Sequence, residues 1–197
     1  SKELRDFGIL GASAMSKGGG TIALKAAAAI GTKAGAKFLG NVIGPAMFAT
    51  DLAKNPWHVA KSRADKTGVI VGDLLARTEA KSYVLIGHSL GARLMVVAAE
   101  TLGTKPGGPR IKAAHLLGAA IGAKSNWDSL TAAVDERVFC YHSTTDAVLK
   151  HVYRTAQAGE TAAGLTGFTP ESSKLQNIDV TDAVKTHFDY LKHARLA

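Results

Sequence analysis

The feature that most constrains the fold is the passage from Tyr83 to Leu102, in which an apolar run, a glycine-bounded turn and a helical stretch follow one another without a gap. Tyr83-Val84-Leu85-Ile86 is short, apolar and built of residues that suit a strand. Gly87-His88-Ser89-Leu90-Gly91 comes next. Residues 92–102 then carry a helical pattern, which 103–109 break with two prolines and three glycines. A buried strand that turns sharply into a helix belongs in a sheet whose faces are covered by helices. Further strand candidates at 113–117 and 137–141, and a weaker one at 177–180, alternate with helical stretches, and residues 181–195 read as a terminal helix. The expected class is therefore α/β, a short and mostly parallel sheet flanked by helices.

A Gly-X-Ser-X-Gly pentapeptide is short enough for chance to supply, so its weight comes from the strand before it and the helix after it. In that setting Ser89 occupies a nucleophile elbow. Strain in the turn lifts the hydroxyl out of the sheet, and Gly87 and Gly91 are expected where strand and helix leave no room for a side chain. The backbone N–H of Leu90 starts the helix, aimed where a tetrahedral oxyanion would form. The plain alternative is a glycine-rich strand-to-helix turn with an exposed serine.

A serine hydroxyl attacks only when a base takes its proton, which calls for a carboxylate and then a histidine downstream. Asp146 follows the 137–141 strand through His142-Ser143-Thr144-Thr145, at the carboxyl end where such a site is built. Asp128 and Asp135 come before that strand, at the wrong end. Asp146 would serve equally as the N-cap of a helix starting at Ala147. Of seven histidines, His58 precedes the nucleophile, His88 lies inside the elbow, His115 lies within a strand, and His142 and His151 sit too close to Asp146. His187 and His193 remain. His187, a few residues beyond the last strand, is the candidate base, since His193 lies deep in the expected terminal helix.

Length and composition bound the rest. With 197 residues, 46% apolar and 20% charged, the chain fits one globular domain, yet it is short for a complete α/β-hydrolase. The net charge of +8 favours an anionic contact such as an anionic membrane surface. Lys and Arg are scattered and no nucleic-acid motif accompanies them, which argues against nucleic acid. The single cysteine, Cys140, excludes an intrachain disulfide and a multi-cysteine zinc site, and reads as a buried strand residue. The opening residues are charged and lack the apolar core of a secretory signal, so a cytoplasmic location, peripheral to a membrane, is expected. Residues 1–80 read as a helical region, and within it 18–53 are rich in Gly and Ala. Lys25, Lys33 and Lys37 fall on one side of a helix there. That stretch reads as an element lying on a membrane, a closely packed helix pair, or a helical cover over the core. Asn55-Pro56-Trp57 starts a helix expected to run to about Thr78.

Several segments together resemble the transmembrane and coiled-coil domain family of α/β-hydrolase-like proteins, catalogued as a domain of unknown function. They are Gly87-His88-Ser89-Leu90-Gly91-Ala92-Arg93, residues 141–154, Ala163-Gly164-Leu165, Asn177-Ile178-Asp179-Val180 and His187-Phe188-Asp189-Tyr190, together with Asn55-Pro56-Trp57. The resemblance spans residues 40–193 and implies Ser89, Asp146 and His187 as a triad. It also implies earlier strands, one of which ends in a loop donating a second oxyanion N–H. Residues 1–80 show none. The chain is thus expected to be the carboxyl-terminal part of a longer protein, or to have its sheet completed by a second chain. The leading expectation is a serine hydrolase acting on carboxylic esters, with a slight tilt towards lipid or phospholipid esters, and needing neither metal nor organic cofactor. The alternative is a non-catalytic binding module of the same fold, or a toxin-like domain controlled by a partner.

Overall fold

The computed structural model describes residues 56–169 and 172–197. The Gly/Ala-rich stretch 18–53 lies outside the described residues. Residues 59–197 make one compact unit.

Helix α1, Pro56–Leu75, leads into β1, Ser82–His88, and α2, Leu90–Gly103. Next come β2, Arg110–Leu117, α3, Asp128–Ala133, and β3, Val134–His142. A π-helix at Val148–Tyr153, the short α4, Ala163–Thr166, β4, Leu175–Asp179, and α5, Tyr190–His193, complete the order. The four strands lie side by side as β1-β2-β3-β4, all parallel. This is the partial α/β arrangement that alternating strands and helices imply.

Register divides the sheet into two faces. Leu85, Ala114, Val138 and Leu175 align across it, as do Gly87, Leu116, Cys140 and Asn177. This face carries the main core, in which Val96, Ala99 and Leu102 of α2 pack with Leu130 and Trp127. Helix α1 reaches α2 through glycines: a Cβ on Gly68 would stand 2.7 Å from Leu94 O, and one on Gly72 2.8 Å from Ala98 O. The opposite face is closed at its carboxyl end by Val184 and Tyr190 against Leu117 and Tyr141. Towards its amino end Val84 and Ile86 stay about half exposed, beside a groove of about 650 Å³ lined by Ala113, His115 and Phe139. Among the described residues nothing pairs with the outer edge of β1, and residues 56–80 add no strand there.

Three expectations need correction. Residues 181–195 are not one helix; only Tyr190–His193 is helical. Ser143 Oγ and Thr145 Oγ1 both donate to Val184 O, at 2.7 and 3.1 Å, and Asp189 Oδ2 accepts the Thr186 N–H at 2.9 Å, so side chains occupy backbone groups that a helix would have used. Asp135 lies within β3, which begins at the fully buried Val134, and it pairs with Arg110 at the amino end of the sheet. Helix α1 ends at Leu75, where the Thr78 hydroxyl donates to Leu75 O at 2.7 Å.

Candidate active site

The site lies where β1 gives way to α2. Ser89 has φ 57° and ψ −121°, a left-handed conformation that a residue with a Cβ rarely adopts. The surrounding backbone holds it there. Ser89 N–H donates to Leu117 O at 3.0 Å, while Ser89 O accepts from the N–H groups of Ala92 and Ala120, each at 3.1 Å. The turn is thereby tied to the end of β2 and to the first turn of α2. Gly87 is obligatory, because a Cβ there would stand 2.5 Å from Gly91 O and 2.7 Å from Ala92 Cα. Gly91 differs from expectation. Among the described residues a Cβ at that position meets nothing within 4 Å. Leu90 opens α2, so its amide is among those with no acceptor inside the helix.

Asp146 and His187 come together from loops beyond β3 and β4. Backbone bonds from Ser143 N–H to Gly164 O and from Asp146 N–H to Ser143 O shape the loop after β3. Its hydroxyls hold Val184 O, which brings the 181–187 segment alongside. His187 Nδ1 lies 2.7 Å from Asp146 Oδ2, and His187 Nε2 lies 2.9 Å from Ser89 Oγ. Asp146 is fully buried and His187 nearly so, while Ser89 is half-buried. Asp146 also caps the π-helix, Oδ1 accepting the Leu149 N–H at 3.0 Å. The contact with His187 and the helix cap, read as alternatives from the sequence, use the two oxygens of one carboxylate. His193, the rival base, is exposed on α5.

Two supports were not visible as site residues. His88 Nε2 lies 2.8 Å from the backbone carbonyl of His187, and since a carbonyl only accepts, that nitrogen carries the proton. The two imidazole centroids are 4.7 Å apart. Burial, and then the neighbouring His187, hold the His88 pKa below the ordinary histidine value. The second support is Tyr190, whose hydroxyl donates to Gly164 O at 3.1 Å. Its ring presses on Gly118, where a Cβ would come within 2.7 Å. A histidine inside the elbow was the available signal for the first; Tyr190 stands in the resemblance segment His187-Phe188-Asp189-Tyr190, which does not mark its hydroxyl as a support.

Cys140 is fully buried in β3 and burial pushes its thiol up to about 12, so it is no nucleophile. Among the described residues no group of His, Cys, Asp and Glu could hold a metal ion.

A serine, histidine and aspartate in hydrogen-bonded series, at the carboxyl end of a parallel sheet and on a strained strand-to-helix turn, have the layout of a serine-hydrolase site on an α/β fold. The chain belongs to the family described as protein of unknown function DUF726, whose model matches residues 47–196. It is 33% identical over 151 residues to an uncharacterized membrane protein of Caenorhabditis elegans, covering 74% of this chain and 24% of that protein. It is 29% identical to the transmembrane and coiled-coil domain-containing protein STS1 of Oryza sativa, over 75% of this chain and 22% of the other. It is 30% identical to the probable lipase MIL1 of Saccharomyces cerevisiae, over 70% of this chain and 13% of the other. The chain spans about a quarter of the length of the first of these relatives. No solved structure matches it. Among the described residues no helix is long and apolar enough to cross a membrane.

Proposed function

We propose that this chain carries the catalytic site of a serine esterase of lipase type, with Ser89 as nucleophile, His187 as general base and acid, and Asp146 as the group that orients His187. The observation that carries the reading is the unbroken series Asp146 Oδ2, His187 Nδ1, His187 Nε2, Ser89 Oγ at 2.7 and 2.9 Å. Ser89 Oγ attacks the ester carbonyl as His187 Nε2 takes its proton. The Leu90 N–H faces the oxyanion, and the alcohol leaves with the proton from His187, which leaves the acyl group esterified to Ser89 Oγ. His187 then takes a proton from water, the water oxygen attacks that ester, and the acid leaves as the proton returns to Ser89. The steps need no metal and no organic cofactor. The charge of +8 and a relative named a probable lipase support lipid esters as the substrate class, with the protein seated peripherally on a membrane.

The edge of β1, unpaired among the described residues, favours a second reading, a binding module of the same fold that needs a further segment or chain to complete it. Hydrolysis of p-nitrophenyl esters of rising chain length separates the two. The esterase reading expects turnover that falls on the order of a thousandfold or more in Ser89→Ala. Equal, background-level rates in both folded proteins would leave the binding module.

A further inference from the structure

The surface changes character beside His187. The histidine is buried, but the next residue, Phe188, is 46% exposed, and Leu191 is 72% exposed. Tyr190 between them points inward and packs on Leu117 and Tyr141, so the core uses Tyr190 and leaves its apolar neighbours outside. The Phe188 ring meets the His187 imidazole edge-on, with centroids 5.5 Å apart, which starts the apolar surface at the rim of the site itself. Lys185, Lys192 and Arg195 are exposed along the same segment. Within 185–195 the carboxylate is Asp189, its Oδ2 engaged by the Thr186 N–H; just before the segment Asp182 lies 3.9 Å from Lys185 Nζ, so Lys192 and Arg195 carry most of its positive charge.

A lone exposed leucine is ordinary on a soluble surface. A phenylalanine and a leucine set among three cations, bordering a hydrolytic site, fit the boundary of an anionic bilayer, where apolar side chains enter the acyl region and cations meet the headgroups. The excess of positive charge in the segment selects a negatively charged surface.

We propose that residues 185–195 are the surface by which this protein docks on an anionic lipid membrane, with Phe188 and Leu191 inserted and Lys185, Lys192 and Arg195 on the headgroups. The inference deepens the lipid-ester reading and rests on it, because a bilayer held at Phe188 presents acyl esters to the rim of the Ser89 site.

Flotation of the full chain carrying Ser89→Ala, with phosphatidylcholine vesicles containing or lacking phosphatidylglycerol, tests it. The parent should float with the anionic vesicles and stay behind with the neutral ones. Phe188→Ser with Leu191→Ser should lower the bound fraction at least about tenfold, and Lys192→Glu with Arg195→Glu should do the same, both judged against melting curves. If one pair fails to fold, the other decides. A parent indifferent to lipid charge, folded variants that float like the parent, or a parent that ignores vesicles and self-associates through Phe188 would each overturn the proposal. Because this background lacks the serine hydroxyl, the two readings fail separately. Ester hydrolysis without charge-selective flotation removes the docking surface alone, and flotation without hydrolysis removes the esterase alone.

Discussion

Asp146 and His187, 41 residues apart in the chain, meet through Oδ2 and Nδ1 at 2.7 Å, with both side chains almost wholly out of solvent. The other oxygen of Asp146 holds the Leu149 N–H, so the carboxylate is fixed from both sides before it touches the imidazole. The two duties can be separated by substitution. Asp146→Asn keeps an acceptor for Leu149 but no longer favours the imidazole tautomer with its proton on Nδ1, and kcat for a soluble ester should fall roughly 10⁴-fold with little change in melting temperature. Asp146→Ala should lose the cap as well, at about 1 kcal/mol, which lowers the melting temperature by about 2–4 °C. Steady-state rates and thermal melts read the two effects independently.

The two elbow glycines should answer differently to alanine. Gly87→Ala drives a Cβ to 2.5 Å from Gly91 O, between backbones that cannot part without disturbing Ser89, and should cost at least about 2 kcal/mol. Gly91→Ala meets no described residue within 4 Å and sits on a helix, so it should be neutral or stabilising by up to about 1 kcal/mol. Urea denaturation of the two variants checks this, and equal losses would contradict it.

His88 acts on His187 through the backbone. Without its Nε2–H bond at 2.8 Å the carbonyl of His187 loses a partner and the imidazole a neighbour. His88→Ala should lower kcat about tenfold with KM nearly unchanged. His88→Gln, which can return an N–H to a similar place, should recover most of the loss. A rise in KM at constant kcat, without rescue by glutamine, would show that His88 touches substrate instead.

Acid should weaken the fold through histidines that are buried or half-buried. Burial is the leading cause that lowers the pKa of His88, His115 and His142; His187 reinforces it at His88 and Asp179 opposes it at His142. At His115 the geometry agrees. The Tyr141 hydroxyl accepts the Ala197 N–H at 2.7 Å, which frees its own proton for His115 Nδ1 at 2.9 Å, and a protonated ring could not accept it. With folded pKa values below the ordinary 6.5, the unfolded chain binds more protons as pH drops through that value. Stability is therefore whole above about pH 6.5 and declines below it. Melting temperatures between about pH 8 and pH 5 should show that decline. His115→Phe, placed against Phe139 where the imidazole now stacks at 4.8 Å, should lessen it. A melting temperature that climbs on acidification would contradict the assignment.

Local pattern revealed much of the fold and most of the site. Apolar runs mark β1 and β3, although in β1 only one face is buried and Val84 and Ile86 on the other stay about half exposed, and the glycine-bounded turn marks the start of α2. The order of Ser89, Asp146 and His187 along the chain follows from a site built at the carboxyl ends of successive strands. Less legible was whatever depends on contacts distant in sequence. Residues 181–189 read as the start of a terminal helix, yet they hold few strong helix formers, and hydroxyls at Ser143 and Thr145 claim Val184 O and keep the segment open. Gly91 looked like its partner Gly87 because residue type alone does not reveal which way a Cβ points. His88 looked like filler inside a motif, since its acceptor lies 99 residues away.

Whether Ser89 is the nucleophile is tested most directly by peptide mass mapping after reaction of the folded chain with a fluorophosphonate. One adduct is expected, on the peptide that contains Ser89, absent in Ser89→Ala and strongly reduced in His187→Ala. A folded chain that takes up no label, or that carries it on another hydroxyl such as Ser143, would contradict that role.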